Sequence, residues 1–194
     1  MSQLTPLAVL ALSLLVEKPM HPYEMLQTMR ARRADRIVKL GPGGLYHTVD
    51  RMVRDGYAEP EGTDRGGNRP ERTIYRVTPY GREVVADTIA DMIVSPAPEY
   101  PRLPVALSEL NNLPAGRAVD LLERRVQSLR VHEAELSEAA SMLTERPLPK
   151  RFWLQLDYTR AMVAAEREWT ASTLDDIRSR ALEWPDPESP KDTP

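Results

Sequence analysis

The side chains best suited to binding chemistry follow a glycine-rich segment. Residues 41–44 are Gly-Pro-Gly-Gly, and a helix is predicted to start there and to end at Asp55-Gly56. Its apolar residues recur at helical spacing: Leu45, Val49, Met52 and Val53. Its other face carries Tyr46, His47, Asp50, Arg51 and Arg54. A helix with such a polar, partly basic face fits the major groove of DNA, where its N-terminal residues reach base edges.

The glycines at the start of this helix suggest a phosphate contact. Gly43 and Gly44 keep the helix entry small, so backbone N–H groups and the positive end of the helix dipole can approach a phosphate. Lys39 precedes them, at the end of a basic run from Arg30 that contains only one acid, Asp35. Taken alone, the glycines also fit a turn with unusual dihedral angles, and the basic residues also fit a solvated surface.

Beyond Gly56 the pattern changes from helical to alternating. Residues 57–61 are a short strand candidate, residues 62–70 are rich in turn formers, and residues 72–77 alternate between two faces. This pattern predicts a two-stranded hairpin directly after the helix, the arrangement known as a wing. Its arginines, Arg65, Arg69 and Arg72, are placed to contact the backbone or the minor groove of DNA.

Three more helices are predicted around these elements, each opened by a proline. The first runs from Thr5-Pro6 to Lys18-Pro19, the second starts at His21-Pro22, and the last starts at Thr78-Pro79. Tyr23, Leu26 and Met29 are predicted to form the buried face of the second helix. The order of elements predicts a winged helix-turn-helix over residues 1–94. The expected fold class is mainly α, with a small two-stranded β wing.

A second unit is predicted beyond a proline-rich linker at residues 95–104, which holds four prolines in ten residues. Residues 105–183 are expected to be a helical dimerisation domain, and the Pro-rich tail at 184–194 is expected to be disordered. Leucines recur every seven residues at Leu122, Leu129, Leu136 and Leu143. A last helix, from Lys150 to about Glu183, places one face at Leu154, Tyr158, Ala161, Met162, Ala165, Trp169 and Ser172.

The composition excludes several function classes. The chain has no cysteine, and its three histidines, His21, His47 and His132, show no metal-ligand spacing. No nucleophile elbow, phosphate loop or paired-carboxylate motif is present, so neither an enzyme nor a bound cofactor or metal is expected. No apolar run is long enough to span a membrane, and the run from Leu4 to Val16 lacks the basic start of a signal peptide. We therefore expect a cytoplasmic protein.

The charge is divided unevenly along the chain. The net charge is −3, which argues against a uniformly basic nucleic-acid binder. The first 90 residues hold 13 Lys and Arg against 11 Asp and Glu, and the remaining 104 hold 13 against 18. The positive balance therefore coincides with the predicted winged helix-turn-helix. Its basic run and arginine-rich hairpin favour DNA over the alternative, a winged helix that binds protein and no DNA.

Three segments carry a family resemblance. They are L-T-P-L-A-V-L-A-L-S-L-L-V-E-K-P-M-H-P-Y-E-M, then G-P-G-G-L-Y-H-T-V-D-R-M-V-R-D-G-Y-A-E, then R-T-I-Y-R-V-T-P-Y-G-R-E-V. Over residues 4 to about 90 the chain resembles the PadR family of regulators, and L-D-Y-T-R-A-M-V-A-A-E-R-E-W is similar to the helical domain of its longer members. Pro22 stands where the family usually has Gly, and Gly44 stands where Ser is common.

The resemblance implies a homodimer that binds a pseudo-palindromic operator, usually as a repressor, and often responds to phenolic acids or other small aromatic compounds. Trp153 and Trp169 are the candidates for stacking on such an effector, and Arg151 and Arg160 are candidates for pairing with its carboxylate. The alternative for each tryptophan is ordinary packing on an amphipathic helix.

Overall fold

The computed structural model describes residues 4–64, 72–96, 99–145 and 148–184. The chain divides into two compact units, residues 1–99 and residues 100–194. The first unit combines helices with one two-stranded sheet, and the described part of the second is helical. The predicted fold class, a winged helix-turn-helix with a helical C-terminal domain, is confirmed.

Among its described residues, the first unit has four helices and one hairpin. The helices are α1 (Pro6–Glu17), α2 (Pro22–Ala31), α3 (Pro42–Arg54) and α4 (Pro79–Val94), and a 3₁₀ turn lies at Ala34–Arg36. The strands β1 (Ala58–Asp64) and β2 (Arg72–Val77) pair antiparallel, with an irregularity in the register between Pro60 and Gly62. The sequence predicted that β1 would end at residue 61, whereas it continues to Asp64 past this irregularity.

Local chemistry sets where these helices begin and end. Each of the four has proline as its first residue, where the missing N–H costs no helical hydrogen bond. Thr5 caps α1 by accepting from the N–H of Ala8, and Thr78 caps α4 by accepting from the N–H of Gly81. After α3, Gly56 adopts φ +76°, the left-handed conformation that ends a helix. Pro22 is therefore well accommodated at the start of α2.

The core of the first unit lies between α1 and the elements around it. Leu12, Met25 and Leu45, from α1, α2 and α3, have no exposed surface. Val77 and Val85 extend this core to β2 and α4. The backbone of Met20 exchanges two hydrogen bonds with that of Tyr75, of 3.1 and 3.2 Å, so the segment before α2 is joined to β2. This core fixes α2, α3 and the hairpin against one another.

The second unit is a helical hairpin with a short helix before it. Its helices are α5 (Arg102–Ser108), α6 (Ala115–Thr144) and α7 (Leu154–Ser179), with 3₁₀ turns at Leu110–Asn112 and Lys150–Phe152. The prediction of a linker up to residue 104 was too long, because α5 starts at Arg102 and tolerates Pro104 in its first turn. The last helix is also shorter than predicted, since residues 150–152 form a separate turn.

Two apolar seams hold α6 against α7. Leu129 and Leu136 pack with Leu156 and Val163, while Leu122 packs with residues near the end of α7. Ion pairs flank the seams: Arg125 Nε donates to Glu166 at 2.8 Å and Arg167 Nε to Glu133 at 2.7 Å. The heptad leucines of α6 thus pack within the chain.

One residue of the predicted tail, Trp184, lies within the described part of the chain. Trp184, which the sequence placed in a disordered tail, is half-buried against the second seam, and its indole N–H donates to the carbonyl of Leu113 at 2.8 Å. The rest of the predicted tail, 185–194, lies outside the described residues. In the described part of the chain, no helix is long and apolar enough to cross a membrane.

Candidate nucleic-acid interface

The exposed face of α3 carries the predicted DNA-binding side chains. Leu45, Val49 and Met52 are buried on one side, as predicted, while the other side is open to solvent. The side chains on the open side are Tyr46, His47, Asp50, Arg51 and Arg54. Thr48 is buried as well, and its hydroxyl donates to the carbonyl of Gly44 at 2.8 Å, within the first turns of the helix. The four side chains of α3 that were predicted to contact DNA therefore share one exposed surface. They are Tyr46, His47, Arg51 and Arg54.

The N-terminus of α3 is free of side chains. Gly41, in the capping position, makes no side-chain cap hydrogen bond. A Cβ atom added at Gly43 would meet nothing within 4 Å, and one at Gly44 would meet only Leu7 Cδ2, at 4.0 Å. Neither residue has a positive φ. The described neighbours and the backbone conformation therefore do not require glycine at these two positions.

The basic residues near α3 differ in their partners. Lys39, Arg51 and Arg54 are exposed and form no ion pair with any acid that the structure describes. Arg32, from the same basic run as Lys39, donates to both carboxylate oxygens of Glu17, at 2.5 and 2.7 Å. This bond lowers the pKa of Glu17 and raises that of Arg32. The charges of Lys39, Arg51 and Arg54 are consequently available to a polyanion.

Of the wing arginines predicted to contact DNA, Arg72 lies within the described residues. The guanidinium of Arg72, at the start of β2, lies over the ring of Tyr23, 5.5 Å from its centroid. Arg76 is paired with Glu59 across the hairpin at 2.8 Å. Arg65 and Arg69, both predicted to contact DNA, lie outside the described residues.

Sequence patterns missed two residues of this surface, His21 and Tyr23. The prediction that Tyr23 is buried was wrong: Tyr23 is 50% exposed, and Met25 takes its place beside Leu26 and Met29. The ring of His21 lies edge-on to that of Tyr46, with centroids 6.1 Å apart. The signal available was the polar and aromatic H-P-Y at the start of α2, a position that faces α3 in a helix-turn-helix.

The predicted effector residues fall in two separate places on the second unit. Trp153 immediately precedes α7, is half-buried, and donates from its indole to the carbonyl of Leu148 at 3.4 Å. Trp169 is 50% exposed and stands sixteen residues further on. At about 1.5 Å per helical residue, the two are separated by about 24 Å. One small ligand therefore does not reach both tryptophans of the same chain.

Three basic residues lie near Trp153 in sequence, and one of them, Lys150, contacts its ring. Arg151 lies over the ring of Phe152, 4.7 Å from its centroid, and Lys150 lies 5.8 Å from that of Trp153. Asp157 accepts from Lys150 at 2.6 Å, which lowers the pKa of Asp157. The Nε atom of Arg160 is buried without a hydrogen-bond partner among the described residues. Among all the residues that the structure describes, no three His, Asp or Glu side chains come together as a metal site.

Residues 11–87 match the family model described as "Transcriptional regulator PadR-like family". No curated protein sequence matches the chain. Among solved structures, Bacillus subtilis PadR in complex with operator DNA is similar, with a TM-score of 0.75 and 17% identity over 89% of this chain and 99% of that one. The same protein in complex with p-coumaric acid gives 0.72 and 16% over 89% and 98%.

The Vibrio cholerae virulence activator AphA also has this fold, with a TM-score of 0.66 and 16% identity over 90% of this chain and 99% of that one. The match to the PadR-like regulator family thus covers residues 11–87, which lie within the first unit. At identities of 14–17%, the likeness to the solved structures extends the shared fold across both units. The resemblance seen in the sequence motifs is confirmed.

Proposed function

We propose that this protein, whose residues 11–87 match the PadR-like regulator family, is a homodimeric repressor. It binds a pseudo-palindromic DNA operator in the cytoplasm. The observation that carries this proposal is the open face of α3, where exposed Tyr46 and His47 lie beside Arg51 and Arg54. Neither arginine has an acidic partner among the residues that the structure describes. Arginine can bind the O6 and N7 atoms of guanine together, whereas lysine and arginine contacts to phosphate fix position only.

Each part of the surface has a distinct task in this proposal. Arg51 reaches a base edge in the major groove, because it lies on the open face of α3. The bare backbone at Gly43 and Gly44 receives a phosphate. Lys39, Arg54 and the wing arginines Arg65, Arg69 and Arg72 bind the DNA backbone.

Two copies are needed because one winged helix covers only half of a palindromic site. Half-sites read by a two-fold dimer are about 34–36 Å apart, or multiples of that. The second unit offers a surface for pairing: Leu154, Tyr158 and Met162 of α7 are each between 48% and 67% exposed. These three residues belong to the face that the sequence predicted for the last helix. This face lies opposite the seam that α7 makes with α6.

Regulation is proposed to come from a small anionic aromatic compound bound near Trp153. The ring of Trp153 offers a stacking surface, and Arg151 and Arg160 offer partners for a carboxylate. The complex of Bacillus subtilis PadR with p-coumaric acid supports this chemical class. A ligand that prefers the DNA-free dimer by 5–150-fold supplies about 1–3 kcal/mol of coupling.

The experiment that tests DNA binding is fluorescence anisotropy with duplexes from the region upstream of the protein's own gene. Affinity should fall with salt, at a slope of about −0.9 in log units for each phosphate contact. Arg51→Ala should cost on the order of 1–3 kcal/mol and relax base preference at one position. Arg117→Ala, an exposed arginine at the start of α6 in the second unit, is the matched control.

Other outcomes would identify a different function. If the protein binds no duplex, including duplexes selected from a random pool, the winged helix is a protein-binding module instead. If it binds but a reporter behind the operator rises with its expression, the protein is an activator, as the virulence activator AphA is.

A further inference from the structure

Three residues around the start of α2, Met20, His21 and Tyr23, contact both α3 and β2. The backbone of Met20 is hydrogen-bonded to Tyr75 of β2. The ring of His21 contacts Tyr46 of α3. The ring of Tyr23 lies under Arg72 at the start of β2. The start of α2 therefore joins α3 to the wing through side chains as well as through the backbone.

His21 makes two contacts that depend on its protonation state. Its Nδ1 atom accepts a hydrogen bond from the backbone N–H of Tyr23 at 3.0 Å, which caps α2. Its ring meets that of Tyr46 at an interplanar angle of 71°, in an edge-to-face arrangement. An Nδ1 that accepts a hydrogen bond carries no proton, so the proton of the neutral ring is on Nε2. An imidazolium, with both nitrogens protonated, cannot cap the helix.

The surroundings of His21 favour the neutral ring. Burial lowers the pKa of His21, the positive charge of Arg72 lowers it further, and the carboxylate of Glu24 opposes them. Glu24 is itself paired with Lys18 at 2.5 Å. The phenol ring of Tyr46 also contacts His21. His21 is thus uncharged at pH 7.

We propose that neutral His21 is a positioning residue for DNA recognition, because it holds Tyr46 of α3 in register with the Tyr23–Arg72 pair of α2 and the wing. The inference rests on the proposed DNA binding and adds a residue that acts through others. Losing the cap releases the start of α2, and losing the ring releases Tyr46. Both changes loosen a surface that must present α3 and the wing to one duplex together.

Two variants each remove one contact of His21, the helix cap or the ring contact with Tyr46, and a third variant supplies the background. His21→Asn keeps a strong helix cap and removes the ring. His21→Phe keeps a ring and removes the cap. His47→Asn removes the other imidazole of this surface, which is exposed on α3, and it serves as the background for all pH measurements.

The readout is the ratio of affinities for the operator and for an unrelated duplex, measured by anisotropy between pH 5.5 and 8. In the His47→Asn background this ratio should fall as the pH drops and His21 becomes protonated. Adding His21→Asn should lower the ratio about fivefold at pH 7.5, from the lost ring contact, and abolish its pH dependence. Adding His21→Phe should also lower the ratio and abolish the pH dependence, through the lost cap.

The folded fraction of each variant is checked by circular dichroism, and the ratio is compared only among folded proteins. If folded His21→Asn matches its parent in ratio and in pH profile, the positioning role is overturned while DNA binding stands. If the wild-type protein binds no duplex at all, the proposed function fails, and this inference fails with it.

Discussion

At the scale of single residues, the glycines that open α3 differ from the glycines that the fold itself requires. Gly56 has a left-handed backbone, and a Cβ at Gly81 would lie 2.0 Å from the carbonyl oxygen of Tyr57. Gly43, by contrast, has open space where a Cβ would be. Helical glycine is less stable than alanine by about 0.5–1 kcal/mol. In the proposed function, glycine at position 43 leaves room for a DNA phosphate.

Gly43→Ala is expected to stabilise the fold and to weaken DNA binding. The added methyl group removes backbone entropy from the unfolded chain, for a gain of up to about 1 kcal/mol, but obstructs a phosphate at the start of α3. Urea unfolding and duplex anisotropy measure the two effects. Gly116→Ala, at an equally open glycine in the first turn of α6, should raise stability and leave affinity unchanged. Unchanged affinity in Gly43→Ala would argue against phosphate contact there.

Gly81→Ala is expected to destabilise the first unit by about 1–3 kcal/mol or more. The new methyl group collides with the backbone of Tyr57, where α4 begins beside the end of α3, and only movement of the backbone relieves the collision. Thermal unfolding followed by circular dichroism measures the loss. A melting temperature equal to that of the wild type would show that this close approach is not present in solution.

Arg32 and Arg51 lie in the same unit and are expected to respond oppositely to mutation. Arg32 lowers the pKa of Glu17, so their bond contributes to stability above the unfolded pKa of Glu17, near 4.5, and that contribution is lost as the pH falls through the lower folded value. Both side chains are about half exposed, so screening limits the gain to about 0.5 kcal/mol.

Arg32→Ala should therefore cost a little stability at pH 7, none at pH 2–3, and little affinity for DNA. Arg51→Ala should leave stability unchanged and weaken DNA binding. Urea unfolding at the two pH values, with anisotropy at pH 7, separates the roles. A larger loss of affinity in Arg32→Ala than in Arg51→Ala would reverse the assignment.

At the scale of elements, the sequence predicted where helices start better than which face they bury. Proline and glycine act through local backbone geometry, so the bounds of α3 were correct at both ends. The face of α2 was not, because Tyr23 is exposed beneath Arg72, a residue nearly fifty positions away. Such a contact depends on tertiary packing that helical spacing does not encode.

The two faces of α7 show the same limit. Leu156, Val163 and Ile177 pack on α6, whereas Leu154, Tyr158 and Met162 are exposed, and both sets follow helical spacing. The face predicted from the sequence contains the second set. Periodicity identifies an apolar face but not its partner, since a seam within a chain and a seam between chains have the same spacing.

Met162→Glu is expected to convert the dimer to a monomer without unfolding the α6–α7 hairpin. Met162 is 48% exposed in the single chain, so the charge is tolerated there and disfavoured only when a second copy covers it. Sedimentation velocity at micromolar concentration measures the change, with circular dichroism as the folding check. Gln127→Glu, at an exposed polar position of α6, is the control. An unaltered dimer in Met162→Glu would place the interface elsewhere.

At the scale of the whole molecule, the proposed function divides DNA contact and regulation between the two units. The positive balance lies in the first 90 residues, and all three tryptophans and the one phenylalanine lie beyond them. Under this proposal, an effector at Trp153 acts on DNA binding through the conformation of the dimer. Its expected coupling of about 1–3 kcal/mol empties an operator only when the DNA complex is near its working concentration.

Tryptophan fluorescence titrated with hydroxycinnamates, benzoates and planar cationic drugs tests this regulation. p-Coumarate is expected to quench the emission and to lower the anisotropy of bound operator. Quenching should vanish in Trp153→Phe and persist in Trp169→Phe, because the two rings are about 24 Å apart along the helix. The same pair of variants, titrated with operator present, shows whether the quenched site is also the one that releases DNA.

The charge of the ligand separates pairing with Arg160 from stacking alone. Arg160→Gln should weaken a carboxylate ligand about tenfold, as expected for the loss of a charge-assisted hydrogen bond, and should leave a neutral cinnamyl alcohol unaffected. Equal loss for both ligands would mean that Arg160 only shapes the site. If no compound both quenches the emission and releases DNA, Trp153 and Trp169 are packing residues, and the second unit serves dimerisation alone.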